Sequence, residues 1–226
     1  MNDDPRLAEL GQFTPEGKLT PGYGDHYVFL VGRDDCHGIL HYLITRELLF
    51  FKFNMFGYDD PQLNNDIMSL FHNRGVRVQA SLDRSQASGV HEKAIIMADE
   101  QMDPADFNNS FVILESATHQ ISHTKGGVFV GQGVGFEGSM NWSASGEGTG
   151  ISLKANVANP KGFKAQNNTL LVSTNPVFLQ RFSAQLDAEH QIGIAQNAKR
   201  EQRAGTAHTV QPRQKRKGVV RRVLGL

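Results

Sequence analysis

The chain has 226 residues, 39% of them hydrophobic, with 23 basic and 23 acidic side chains, which suits one folded core with or without a tail. It holds no run of about 18 apolar residues, so no membrane-spanning helix is expected; its most apolar stretch, Leu48 to Phe56, is short and carries Lys52 and Asn54. The start is acidic at Asp3 and Asp4 and lacks the apolar segment of a secretory signal, and the single cysteine, Cys36, excludes an internal disulfide, which together point to the cytoplasm.

The zero net charge hides a split. Residues 199–226 carry nine Lys and Arg against one acid, Glu201, which leaves 14 basic and 22 acidic residues in 1–198. An acidic body with a basic arm is expected. The arm reads as a solvated, disordered tail that can also tether a phosphate backbone.

In chain order, residues 1–25 are rich in Pro, Gly and Asp and read as a loosely ordered segment. Tyr27 to Val31 is a short apolar strand ending at Gly32. Residues 34–46 open with acids and space Ile39, Leu40, Leu43 and Ile44 as a helix does. Leu48 to Phe56 is a buried strand with phenylalanines on both faces. Asp60-Pro61 then starts a helix to about Asn73, with Leu63, Ile67, Leu70 and Phe71 on one face, and Arg74-Gly75 stops it. Val76 to Leu82 is the next strand. Strand, helix and strand in this order form a βαβ unit, so the sheet is at least partly parallel.

His91 to Gln101 reads as helix, and Phe111 to Leu114 as a strand. Two more strands, His123–Val130 and Val134–Gly138, form a hairpin around Gly131-Gln132-Gly133. Residues 144–166 are small and polar and read as a surface loop. Asn168 to Ser173 is a strand, and Asn175-Pro176 starts a last helix to about Ile194, with Phe178, Phe182, Leu186 and His190 inward. The division expected is 1–25, a domain over 26–195, and a basic tail over 196–226.

The chemistry concentrates in the hairpin. His123 and Lys125 are two apart, so on a strand both side chains share one face. The hairpin returns Ser139 and Asn141 beside them. A histidine, a fixed positive charge and two neutral hydrogen-bonding groups suit a phosphodiester: Lys125, Ser139 and Asn141 can hold the non-bridging oxygens, and neutral imidazole can attack phosphorus. No carboxylate cluster with metal-ligand spacing accompanies them, so neither a metal nor another cofactor is expected.

The stretch HTKGGVFVGQGVGFEGSMNWS resembles the His-x-Lys and Gly-Ser-x-Asn motif of the phospholipase D superfamily, in its single-motif bacterial nuclease form. HNRGVRVQASLDRSQ and NNTLLVSTNPVFLQRFSAQLDAEH resemble the elements before and after it, so the likeness spans roughly residues 27–192. The resemblance implies an α/β fold with a mixed sheet flanked by helices on both faces. It implies phosphodiester hydrolysis with His123 as nucleophile, through a phosphohistidine, with Lys125, Ser139 and Asn141 on the phosphate. The family builds its site from two His-x-Lys motifs. With one good copy here, it implies a homodimer that pairs two His123 residues.

Two departures stand out. The family's aspartate five residues after the lysine is Val130, and its glutamate before the closing strand is Asn167. Glu147 is the candidate to replace that glutamate and orient the histidine; Glu137 is nearer in sequence, with uncertain strand parity. His91-x-Lys93 repeats the spacing but reads as a solvated helix face, and His119 as a structural histidine. Trp142 reads as core, and Cys36 has no catalytic pattern around it.

The partner expected is nucleic acid, DNA ahead of RNA, with Arg213, Lys215, Arg216 and Lys217 of the tail on its backbone. Two rivals keep the fold: an enzyme acting on lipids by the same chemistry, and a nucleic-acid-binding module without activity. Membrane contact is not expected, although Val219-Val220 and Val223-Leu224 lie among arginines.

Overall fold

The structure is a computed structural model that describes residues 2–83, 109–115, 122–149 and 165–208. His91, Lys93 and His119 lie outside the described residues, as do Arg213, Lys215, Arg216 and Lys217.

Among the described residues, seven strands form one mixed sheet: β1 (His26–Leu30), β2 (Phe50–Met55), β3 (Arg77–Asp83), β4 (Phe111–Leu114), β5 (Lys125–Phe129), β6 (Val134–Gly138) and β7 (Thr169–Ser173). Their order is β1-β7-β6-β5-β2-β3-β4. β2, β3 and β4 run parallel, and the other neighbours are antiparallel. The helices are α1 (Pro5–Ala8), α2 (Cys36–Arg46), α3 (Pro61–Arg74), α4 (Ala144–Glu147) and α5 (Pro176–His208).

The helix starts are fixed by side-chain caps. The Asp35 carboxylate accepts from Gly38 N, and that of Asp60 accepts from Leu63 N at 2.7 Å, just ahead of Pro61. Gly75 ends α3 at φ 64°, a left-handed turn that a side chain would strain. The βαβ unit is β2–α3–β3, as its pattern predicts.

The sheet is covered on both faces, and the faces differ. In β2, Phe51, Phe53 and Met55 point to the side of α2 and α3 and join one apolar cluster with Ile39, Leu43, Ile67 and Trp142. Lys52 and Asn54 alternate to the other side, where Asp187 and Glu189 of α5 receive them. β3 repeats this with Gln79 bonded to Asp187 and Ser81 to His190. His190 Nε2 donates to Asn109 O, so Nδ1 accepts from the Ser81 hydroxyl.

Four expectations change. Residues 5–13 are helical rather than loose, because Leu7 and Leu10 bury themselves in the core. Residues 144–147 form a helical turn, because the Ser143 hydroxyl caps Gly146 N. α5 runs to His208, so residues 196–208 of the expected tail are helical. Phe56 leaves the core and lies half-buried at the end of β2.

Trp142 is fully buried as expected, stacked 5.1 Å from Phe53 and 6.2 Å from Phe136. Its backbone N–H donates to Gly57 O and its backbone carbonyl accepts from Asp59 N, so it pins the residues after β2. Trp142→Ala is expected to cost about 3–5 kcal/mol of stability. Urea unfolding followed by circular dichroism measures it, since Trp142 is the sole tryptophan and fluorescence is lost with it.

Candidate active site

The antiparallel and parallel pairings place the carboxyl ends of β2, β3, β4 and β6 and the amino ends of β5 and β7 on one rim. His123 precedes β5 at this rim. Asn141 follows β6, and Phe56 and Gly57 follow β2.

His123 and Lys125 meet there. Lys125 Nζ lies 3.1 Å from both ring nitrogens of His123 and donates to its carbonyl at 2.9 Å. Phe56 packs on both: its ring centroid is 4.5 Å from the imidazole, and Nζ sits 4.9 Å over it. His123 is exposed, whereas Lys125 is 4% exposed. Burial lowers the Lys125 pKa from its ordinary value. Among the described residues, no carboxylate lies within ion-pair distance of its ammonium, in contrast to the other buried lysine, Lys52, which bonds both oxygens of Asp187 at 2.8 Å.

Asn141 approaches Gly57, the residue after Phe56, at the same rim. A Cβ at Gly57 would lie 2.9 Å from Asn141 Cγ, so glycine lets the amide reach the rim. Asn141 Oδ1 is buried and has no hydrogen-bond partner among the described residues. Ser139 reaches the rim but turns to β7: its hydroxyl donates to Asn168 Oδ1 at 3.0 Å and accepts from Thr169 N at 3.1 Å.

Glu147 meets a different histidine. His37 Nδ1 donates to Glu147 Oε2 at 2.5 Å and lies 3.5 Å from Asp60 Oδ2. Donor atoms of His37, Asp60 and Glu147 all fall within 4.8 Å of one another, close enough to hold a divalent cation. The residues come from α2, the α3 cap and α4, so no local spacing announces them. The direct His37–Glu147 bond makes the group an ion-paired cluster as it stands. No hydrogen bond joins Glu147 to His123 among the described residues.

The two motif departures have simple positions. Val130 is exposed just past the far end of β5, about 23 Å of extended chain from His123. Asn167 is exposed ahead of β7. Glu137 is exposed and pairs with Gly126, whose missing Cβ would meet Phe182 of α5, so it faces away from Lys125. Cys36 is buried, which pushes its thiol up to about 12 and leaves it unreactive.

Sequence reading missed His37 and Asp60, and also Ser122, which donates to Asp83 and Glu189 directly behind His123. The only sequence signal for Ser122 was its place before the motif histidine.

No family model matches the chain, and no curated protein matches it in sequence. Solved structures match it in fold. Nuc from Salmonella typhimurium, a phospholipase D family member, aligns over 75% of this chain and 97% of its own, with a TM-score of 0.51 and 14% identity. NucT from Helicobacter pylori aligns over 74% and 95%, with a TM-score of 0.54 and 16% identity. Phosphatidylserine synthase from Haemophilus influenzae Rd KW20 aligns over 70% and 35%, with a TM-score of 0.50 and 12% identity. The chain has the phospholipase D superfamily fold, a mixed sheet between helices. No helix among the described residues is long and apolar enough to cross a membrane.

The His37 cluster gives a pH signature. Burial works against the imidazolium, but the Glu147 hydrogen bond and the charges of Glu147 and Asp60 outweigh it and raise the His37 pKa from 6.5 to about 9. Burial raises the Glu147 carboxyl to about 7, so both partners are charged between about 7 and 9, and the contribution of the pair fades as the pH rises through about 9. In Glu147→Gln the hydrogen bond loses its charge, and the His37 imidazole is expected to titrate far lower. An imidazole NMR titration of wild type and variant measures this, and the alkaline loss of stability should shrink with it.

Proposed function

We propose that this chain is a phosphodiesterase of the phospholipase D type that hydrolyses nucleic acid. The observation that carries the reading is the Lys125 ammonium: buried at the rim, touching the exposed His123, with no carboxylate partner among the described residues. A buried cation without a counter-ion is costly, and a phosphate diester supplies the missing charge. Asn141, with its amide at the same rim, would bind a non-bridging oxygen. Ser139 would join it only by exchanging its bond to Asn168.

In this reading a ring nitrogen of His123 attacks phosphorus, and the ester oxygen leaves with a proton from a second histidine. Water then attacks the phosphohistidine, giving one of its own protons to the second histidine and releasing His123. The second histidine is His123 of another copy, across a two-fold axis, since one chain offers one complete motif. The basic residues beyond α5, including Arg213, Lys215, Arg216 and Lys217, draw polyanion toward an acidic body.

A lipid phosphodiester is the second reading, favoured by the fold shared with a phosphatidylserine synthase. The two separate in one experiment. Wild type and His123→Ala are incubated with plasmid, single-stranded DNA, RNA and phosphatidylcholine vesicles, with and without EDTA. Cleavage of DNA by wild type is expected, unchanged by EDTA and reduced at least about 10³-fold in His123→Ala. Loss of cleavage in EDTA would instead give a metal at His37, Asp60 and Glu147 a role. Turnover of vesicles alone would replace the nuclease reading. DNA binding without cleavage would leave a binding module.

Removing residues 209–226 takes away six Lys and Arg. The slope of log affinity for DNA against log salt should flatten by up to about 5. An unchanged slope would remove the tether from the proposal.

A further inference from the structure

His123 faces Lys125, and the residue before it is tied to the opposite side of the sheet. Ser122 N donates to Asp83 Oδ2 at 2.8 Å, and Ser122 Oγ donates to Glu189 Oε2 at 2.9 Å. Glu189 is itself held in place. Asn54 Nδ2 donates to its Oε2 at 2.5 Å, and Gln185 Nε2 to its Oε1 at 2.7 Å. Asp83 closes β3 and Glu189 projects from α5, so two elements hold Ser122 directly, and Asn54 of β2 braces Glu189.

Side chains alternate along an extended chain, so a serine fixed toward α5 fixes its neighbour toward the other face. A slip of one residue would reverse this and turn the imidazole away from Lys125 and Phe56. We propose that Glu189 and Asp83 are positioning residues for His123: by holding Ser122 on the α5 side, they set the orientation of the imidazole from behind the sheet. The inference rests on the reading of His123 as nucleophile. It also accounts for the two departures from the motif. Val130 sits past the far end of β5 and Asn167 is exposed, so the support for the histidine comes from other elements.

A purely structural role, in which the seam only docks α5 on the sheet, makes a different prediction. Asp187 separates the two: it belongs to the same seam, bonded to Lys52 and Gln79, and it does not bond Ser122. The full-length variants Glu189→Ala, Glu189→Gln, Ser122→Ala, Glu189→Ala with Ser122→Ala, and Asp187→Asn are compared below their melting temperatures. Cleavage of a single-stranded oligonucleotide gives kcat and KM. Glu189→Ala is expected to lower kcat by about 10²-fold at nearly constant KM, the cost of a misplaced reacting group. Ser122→Ala should lower kcat similarly, and the double variant should lose little more, because both remove one bond. Glu189→Gln keeps an acceptor and should recover most of the rate. Asp187→Asn should lower the melting temperature and keep kcat.

Full kcat in Glu189→Ala, or an equal loss in Asp187→Asn, would overturn the inference. If wild type turns over no phosphodiester, the nuclease reading falls, and the positioning is read from the His123 imidazole by NMR. Its resonances should shift in Glu189→Ala and stay in place in Asp187→Asn. Any other pattern there would overturn the positioning as well.

Discussion

Two lysines are buried among the described residues, and they are treated in opposite ways. Lys52 points to α5 and meets Asp187 and Ser183, so its charge is neutralised inside the fold. Lys125 points to the other face and meets a carbonyl, an imidazole and the face of Phe56. It has no carboxylate partner among the described residues, and holding such an ammonium out of water works against folding. The aromatic stack of Phe51, Phe53, Phe129, Phe136 and Trp142 beneath it supplies a core large enough to tolerate this. In the proposed function, a phosphate anion would supply the charge that the partners of Lys125 do not.

The unlike faces of the sheet follow from strand alternation. On one side the period-2 pattern delivers phenylalanine, valine and leucine to α2 and α3. On the other it delivers Lys52, Asn54, Gln79, Ser81 and Asp83, and α5 answers with Asp187, Glu189 and His190. An apolar face tolerates sliding, whereas a polar seam does not, because each displaced group loses a specific partner. The polar face thus fixes the position of α5, and through Glu189 it fixes Ser122. His123 is on the apolar side; the residues proposed to align it are on the polar side.

This division decides what the sequence could reveal. Period-2 and helical spacings gave the strands and α2 and α3 nearly to the residue, and Asp60-Pro61 and Gly75 marked both ends of α3. The His123–Lys125 contact was legible because both residues lie on one short extended stretch. Partners far apart in sequence were not. Ser122 and Glu189 are 67 residues apart, and His37 and Glu147 are 110 apart; no local pattern links them. Glu147 was singled out for its place after the motif as a partner of His123, whereas in the structure it bonds His37. Residues 5–13 were misread because their Pro and Gly neighbours hide two leucines that a short helix can bury.

The motif departures are best understood through the same geometry. An aspartate at position 130 would lie past the far end of β5 from His123, so its effect on the site would pass through the strand rather than through space. Position 167 is exposed, and its neighbour Asn168 bonds both Ser139 and the carbonyl of Gly146. Asn168 therefore ties the turn after β6 to α4, and α4 carries Glu147 to His37. The loss of a carboxylate at 167 thus accompanies a chain of neutral bonds that ends in the His37 cluster. Among the described residues Lys125 has no carboxylate beside it. A glutamate at the rim would offer it a counter-ion, whereas an asparagine does not; in the proposed function this leaves the ammonium for phosphate.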